Sequence, residues 1–434
     1  MNKSFKHIVS VLLIAAAATQ LCPAKDVNIK SKGAKADGKT NVTAIIQKAI
    51  DEVSAAGGGR VIVSGGTFLI TPFELKSGVE LHIEADATLL ASPDLADYPE
   101  RENPKHVISE NLPRYRNASI IYADEAENIA ITGRGTIDCN GTHFVKEKTG
   151  DWKGWPYVRT VPRNESLPRV VFFAGCRNVT VTDVTMVNQP AGWSYWVHDC
   201  DLVHFDRCKI IADVRYPNND GIHINCSRDV TVSNCLIQTG DDSIVVRAIS
   251  KSLKENKPCE RVVITNCTLR SWSSGIRIGW TNDGVIRHCT FSNIVMHDCS
   301  AGVAISIPGR SSVSNDWGLE ALHIEGLTFS NIRMDRVLDP VYGNISEKED
   351  VFCDAIRDIV FSDVYAKNCM NFPYFNGRED CPFEDIYFNN CSFEKLPAEA
   401  FPDATRHGAV PKASGEPYRH VNNLVMNNTR FIYK

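Results

Sequence analysis

From about residue 128 onward the chain repeats a short alternation of apolar and polar positions. A branched or apolar residue is followed by a polar one, another branched one, an Asn/Asp/Arg-Cys pair or its equivalent, and an apolar pair. The phrase reads NIAITGRGTI from Asn128, NVTVTDVTM from Asn178, DLVHFDRCKI from Asp201, DVTVSNCLI from Asp229, RVVITNCTL from Arg261 and GVIRHCTF from Gly284. It continues as LHIEGLTF from Leu322, IRDIVFSDV from Ile356, FEDIYFNNCSF from Phe383 and VNNLVMNNTRF from Val421. Alternation with a period of two predicts short strands. Their starts lie 23 to 50 residues apart, with 23, 28 and 32 in the middle of the chain, as in a solenoid whose coils carry loops of different length. A lone strand of this size cannot bury its apolar side, so stacked coils must share one core. The expected fold is all-β, a right-handed parallel β-helix.

The beginning departs from this pattern. Ile45, Ile46, Ala49, Ile50 and Val53 share one helical face, with Thr43 placed as N-cap and Gly57-Gly58-Gly59 as the stop. One short helix here would cover the open end of the first coil, and GGRVIVSGGTFLI and GVELHIEADATLL supply the first strands. Cys208, Cys235, Cys267, Cys289 and Cys391 hold equivalent places in their phrases, which predicts an internal stack of small apolar side chains rather than paired disulfides for most of them. The neighbouring Asn234, Asn266 and Asn390 suit tight bends between strands.

The hydrophobic fraction of 43% and charged fraction of 23% are those of an ordinary globular chain. Residues 1–24 place Lys3 and Lys6 before an apolar run from Ile8 to Ala18 and a Cys22-Pro23-Ala24 end, the layout of a secretory signal. Leu21 is larger than a lipoprotein anchor on Cys22 prefers. The expected mature chain is one domain over 25–434, periplasmic or extracellular. No later stretch reaches the roughly 18 apolar residues of a membrane span. Without Lys3 and Lys6 the formal charge moves from −5 to −7 with no basic run, so nucleic acid is not an expected partner.

The chemistry concentrates in YPNNDGIHINCSRDVTVSNCLIQTGDDSIVVR, from Tyr216 to Arg247. Asp220 and Asp241 are 21 residues apart with one strand phrase between them, hence on neighbouring coils. Adjacent strands are about 4.8 Å apart, which brings Asp220, Asp241 and Asp242 within mutual influence. Clustered carboxylates repel, raising at least one pKa and making a proton donor available. An inverting glycosidase needs such an acid and a second carboxylate on water, ordinarily about 6.5–9.5 Å apart. Acidic turn residues, or Ca²⁺ ligands as in β-helical lyases, fit the same spacing.

These segments resemble glycoside hydrolase family 28, the polygalacturonase-like β-helix enzymes. GAKADGKTNVTAIIQKAID, GGGRVIVSGGTFLI and GVELHIEADATLLASPD are similar to the family's opening, GRGTIDCNG to its Gly-x-Gly-x-Ile-Asp turn, and NNDGIHI with TGDDSIVV to its two acid motifs. The resemblance implies Asp241 as general acid, with Asp220 and Asp242 holding and activating water, and a polysaccharide of pectin type, galacturonan or rhamnogalacturonan-like, as substrate. It implies no cofactor and no metal.

Two positions depart from the family. Ser273, Ser274 and Gly275 stand where its Gly-His-Gly motif belongs, and Ala304 and Ser306 replace both cations of its Arg-Ile-Lys motif. Arg247 and Arg277, on successive coils beside the acids, are candidates to clamp a carboxylate or sulfate, or equally a solvated or salt-bridged pair. His223 is a candidate for acid–base work or sugar binding, and equally a structural histidine. Trp272 and Trp280 are candidates to stack on sugar rings, with Trp193 and Trp196 weaker ones. If the DWKGWPYVR loop from Asp151 walls off one end of the cleft, cleavage would be exo-acting. A Ca²⁺-dependent lyase on the same fold and a non-catalytic carbohydrate-binding β-helix are the alternatives.

Overall fold

The computed structural model describes residues 24–102, 117–150, 154–162, 165–167, 169–249, 253, 255–281, 283–309, 321–348, 351–401 and 417–434. The signal segment, Cys22 included, and Asp151 to Lys153 lie outside the described residues.

Among the described residues the strands gather into a 23-stranded sheet, an 11-stranded sheet and a two-stranded hairpin. Every pairing in the two large sheets is parallel, between one coil and the next, and the chain is a right-handed parallel β-helix. The phrases read from the sequence form the large sheet. The smaller sheet, whose strands follow the acid-bearing turns, includes β1 (Arg169–Ala174), β2 (Trp193–His198), β3 (Ile222–Asn225), β4 (Ile244–Arg247), β5 (Ser274–Ile278), β6 (Ala301–Ile307) and β7 (Asp339–Ile345). Ile222, Ile244 and Ile276 pair in register and point into the core.

The core is built by like stacking on like. Phe291, Phe329, Phe361 and Phe388 form a column with ring centroids 4.6, 4.9 and 4.8 Å apart. Asn234, Asn266 and Asn390 sit at left-handed bends with φ of 56°, 56° and 55°, a conformation that asparagine tolerates better than most residues. Among the described cysteines all but Cys353 and Cys381, which form a disulfide, are free and buried. Strand register puts Cys208, Cys235 and Cys267 in one column, rejoined by Cys391 after Ile294, Ile332 and Val364. Cys289 falls outside it, because the longer strand Val285–His297 places it against Val262 and Leu327 instead.

Helix α1 (Thr43–Ala55) buries Ile46, Ala49, Ile50 and Val53 over the first coil and ends at Gly57, where φ is +90°. Its N-cap differs from the sequence expectation. Val42 is the cap residue, Asn41 accepts from the Thr43 N–H at 2.9 Å, and the Thr43 hydroxyl instead accepts from Thr71 N–H at 2.7 Å.

On the outer face of the large sheet, one row alternates in sign from coil to coil: Glu127, Arg177, Asp201, Arg228, Glu260, Arg287, Glu325, Arg357 and Glu384. Opposite charges on neighbouring parallel strands favour this register over a slipped one. Glu260 is the best enclosed, at 5% exposure, with Arg228, Arg261 and Arg287 at 3.3, 2.6 and 2.7 Å. Burial pushes its carboxyl up, but the hydrogen bonds from Arg287 and Arg261 outweigh that and hold it below its ordinary value. A lowered folded-state pKa gives stability that is present above the unfolded pKa, about 4.3, and lost as pH falls through the folded value. Glu260→Gln is therefore expected to lose about 1–3 kcal/mol at pH 7, with the gap to the parent closing below about pH 4. Denaturant unfolding at both pH values checks this, and a gap independent of pH would contradict it.

Candidate active site

The acid-bearing turns are shaped by glycine and asparagine. A Cβ on Gly221 would lie 2.2 Å from the Ser243 carbonyl oxygen, and one on Gly240 would lie 2.1 Å from that of Tyr216, so both positions exclude a side chain. Asn219 accepts from Gly240 N–H at 2.7 Å and Asp241 N–H at 3.2 Å while donating to the Asp213 carbonyl at 2.7 Å. It ties one acid-bearing turn to the next. The Thr239 and Ser271 hydroxyls both donate to the Asp241 carbonyl at 2.6 Å.

The result is a buried triad of carboxylates. One oxygen from each of Asp220, Asp241 and Asp242 lies within 4.8 Å of the other two, and the residues are 4%, 9% and 6% exposed. Asp220 accepts from or shares a proton with His223 Nε2 at 2.9 Å. Asp242 accepts from Ser273 Oγ at 2.8 Å and Ser274 N–H at 3.0 Å, so the two serines that stand in place of Gly-His in the expected motif both contact an acid directly. Asp241 accepts from Asn218 through N–H and Nδ2 at 3.2 and 3.1 Å, and from Asp242 N–H at 3.0 Å. Burial first, then the charges of Asp220 and Asp242, hold the Asp241 carboxyl well above its ordinary value despite hydrogen bonds from Ser273 and Asn218.

The separation is shorter than the 6.5–9.5 Å usual for inverting pairs. A hard divalent cation asks for six to eight oxygen ligands. A buried acid held toward its protonated form and a guanidinium 3.9 Å from Asp242 suit proton chemistry better than a dication.

The two arginines separate. Arg247 makes a bidentate pair with Asp283 at 2.6 and 2.8 Å, with Ala248 N–H on the same carboxylate, so its fork is already filled. Arg277 lies 4.3 Å over the Trp280 ring, and Arg247 lies 5.3 Å from it. Trp280 thus stacks on cations. Trp272 is half-buried, held through its backbone at Thr239 and Ser300. Trp193, a weaker candidate from the sequence, has its indole stacked on His223 at 4.0 Å, and His223 in turn contacts Asp220.

On the N-terminal side of the acids the outward side chains of the smaller sheet are buried. Phe172 and Trp196 stack at 4.6 Å and are 0% and 1% exposed, with the Arg169 guanidinium 4.5 Å from both rings. The loop beyond Phe144 docks here too. Trp155 Nε1 donates to the Gly240 carbonyl at 2.6 Å, and Arg159 donates to Asn218 Oδ1 at 2.7 Å and the Ala191 carbonyl at 3.0 Å. Sequence reading missed Asn218, Asn219, Ser271 and Asp283. The first two stand beside Asp220 in the NND motif, whereas Asp283 carries no local signal.

A profile for "Glycosyl hydrolases family 28" matches residues 74–368. The chain belongs to this family. It is a glycoside hydrolase. Similar proteins include a probable polygalacturonase of Vitis vinifera, 24% identical over 379 residues that span 85% of this chain and 74% of the relative. An exo-poly-alpha-D-galacturonosidase of Dickeya chrysanthemi is 27% identical over 311 residues, 62% of this chain and 50% of that one. A hyperthermoactive exopolygalacturonase of Thermotoga maritima shares the fold, with a TM-score of 0.70 at 22% identity, over 94% of this chain and 92% of that structure.

Burial first, then the positive charges of Arg247 and Arg277, pull the His223 pKa down to about 3 against the opposing pull of Asp242. The imidazole of this family member is thus neutral at ordinary pH and donates Nε2–H to Asp220. The unfolded imidazole takes up its proton near pH 6.5, so acidification from there toward 3 favours unfolding at this group. Imidazole ¹⁵N NMR of the folded enzyme is expected to show no His223 titration between pH 5 and 8; an inflection near 6.5 would contradict the assignment.

Proposed function

We propose that this enzyme hydrolyses glycosidic bonds in a pectin-type polysaccharide, galacturonan or rhamnogalacturonan-like, or a related acidic one. Asp241 is the general acid, and Asp220 with Asp242 holds and activates the water. The observation that carries this reading is one carboxylate held toward its protonated form between two others. Burial and the charges of Asp220 and Asp242 push Asp241 that way even though it accepts from Asn218 and from the Asp242 N–H, while His223 lies on Asp220 and Ser273 and Ser274 donate to Asp242. Environments that drive neighbouring acids apart mark a proton donor and its partners. Register supports the same division. Continued back from β3 and β4 into the turns before them, it sets Asp220 beside Asp242, suited to share a water, and leaves Asp241 off that row.

On the N-terminal flank Trp155 and Arg159 dock on the acid-bearing turns, where they would limit the length of substrate on that side. This supports exo-action, in keeping with the names of the Dickeya and Thermotoga relatives. The chain is exported by a signal in residues 1–24, and residues 25–434 act as one catalytic domain. Among the described residues no helix is long and apolar enough to cross a membrane.

Asp241→Asn removes the transferable proton and keeps the shape. Turnover of pectic oligosaccharides is expected to fall at least 100-fold, while the thermal midpoint at pH 7 stays equal or rises because a buried, repelled carboxyl is gone. The alkaline limb of the parent's kcat profile should report Asp241, falling as pH rises through its raised pKa. Reducing-end release at near-parental rate by the variant would overturn the assignment.

A further inference from the structure

Arg277 is a buried cation that, among the described residues, has one loose ion pair and no hydrogen bond to a carboxylate. It projects from β5 onto the cleft side and is 8% exposed. Among the described residues its hydrogen bonding consists of one contact, Nη2 to the Ser306 carbonyl at 2.9 Å. Its Nε is buried with no partner, and so is Trp280 Nε1, under the ring on which the guanidinium lies at 4.3 Å. The nearest carboxylate oxygen, Asp242 Oδ2, is 3.9 Å from Nη1, beyond hydrogen-bond reach. A guanidinium has five N–H donors, and burying it with one of them engaged is costly unless an anion arrives.

Arg247, one coil earlier, shows the contrast. It is equally buried, and Asp283 fills its fork. Among the described residues no carboxylate fills the fork of Arg277 in this way. The next coil makes way for it. Ala304 is the residue paired with Arg277, and its small side chain lets the arginine pass across β6 to Ser306. Tyr342, paired with Ala304 and hydrogen-bonded to the Ser306 side chain, stands on the far side of the same space.

We infer that Arg277 alone, framed by Trp280 and Tyr342, is the specificity determinant of the cleft, receiving one carboxylate of a uronate sugar held against Asp242. This rests on the hydrolase reading above and sharpens it, since a single cation beside the acids recognises a single charge. The two-arginine clamp suggested by sequence is thereby reduced to one residue.

The test compares a variant with a change in substrate. Oligomers of pectin-type galacturonan are used as the free acid and after carboxyl reduction, with the parent, Arg277→Gln, Arg277→Lys and Ala304→Leu. Arg277 also faces Asp242, so its loss can slow both substrates, and the readout is the ratio of kcat/KM values, acid over reduced. In the parent this ratio is expected to exceed one. Arg277→Gln should lower it about 10- to 100-fold, Arg277→Lys less, and Ala304→Leu should lower it with the guanidinium still present but displaced. Ala304→Leu guards against an Arg277→Gln chain that does not fold. A ratio unchanged by every substitution, or a parent that prefers the reduced oligomer, overturns the role of Arg277 and leaves the hydrolase reading intact. If the parent cleaves neither oligomer, galacturonan falls as the substrate of the hydrolase reading, and this inference with it.

Discussion

Backbone hydrogen bonds between one coil and the next hold Gly221 N–H on the Asp242 carbonyl at 2.9 Å, Ile222 N–H on Ser243 at 3.0 Å and Ser243 N–H on Ser274 at 2.8 Å. The site is a consequence of that register. It stacks Asp220 over Asp242 and Asp242 over Ser274, so residues far apart in sequence meet at strand spacing. A slip of one residue would turn each side chain to the opposite face of its sheet and dismantle the core and the acid row together. The alternating charge row on the large sheet, the phenylalanine column and the Asn219 clamp all secure the same alignment.

Within that frame the chemistry is a matter of which charges are answered. Arg247 is neutralised by Asp283, and His223 is kept uncharged by burial beside two guanidinium groups. Three carboxylates remain around one small space, where mutual repulsion favours keeping one proton. Arg277 is the buried cation in reach of them without a direct carboxylate bond. An anionic sugar would complete this balance. The crowding has a price in geometry, because oxygens within 4.8 Å leave less room for water than the usual inverting arrangement. Two of the three acids lying in one row offsets this, since a water shared between Asp220 and Asp242 can be held from below rather than between opposed walls.

Much of the fold was legible because the large sheet alternates cleanly. Its strands, such as Arg177–Thr182, bury Val179 and Val181 over one core with less buried residues between and after them. The cleft strands hid their nature for the opposite reason: Ile222–Asn225, Ile244–Arg247 and Ser274–Ile278 are buried on both faces, so no period of two survives. The acids were legible because Asp220 and the Asp241-Asp242 pair lie about one short coil apart, with register setting Asp220 over Asp242. The fate of Arg247 was not, as its partner Asp283 comes from a turn 36 residues on. Cys289 misled because a phrase can repeat in sequence while its strand lengthens and shifts the column. Thr43 misled because a hydroxyl at a helix start can serve a neighbouring coil instead of its own helix.

The anomeric configuration of the first product, followed by ¹H NMR before mutarotation, bears most directly on a water held by Asp220 and Asp242 with Asp241 as acid. Hydrolysis with a single displacement releases the sugar with inverted configuration, and that result is expected. Release with retained configuration would mean that one of these closely spaced carboxylates attacks the sugar itself, and would contradict the division of roles drawn from their surroundings.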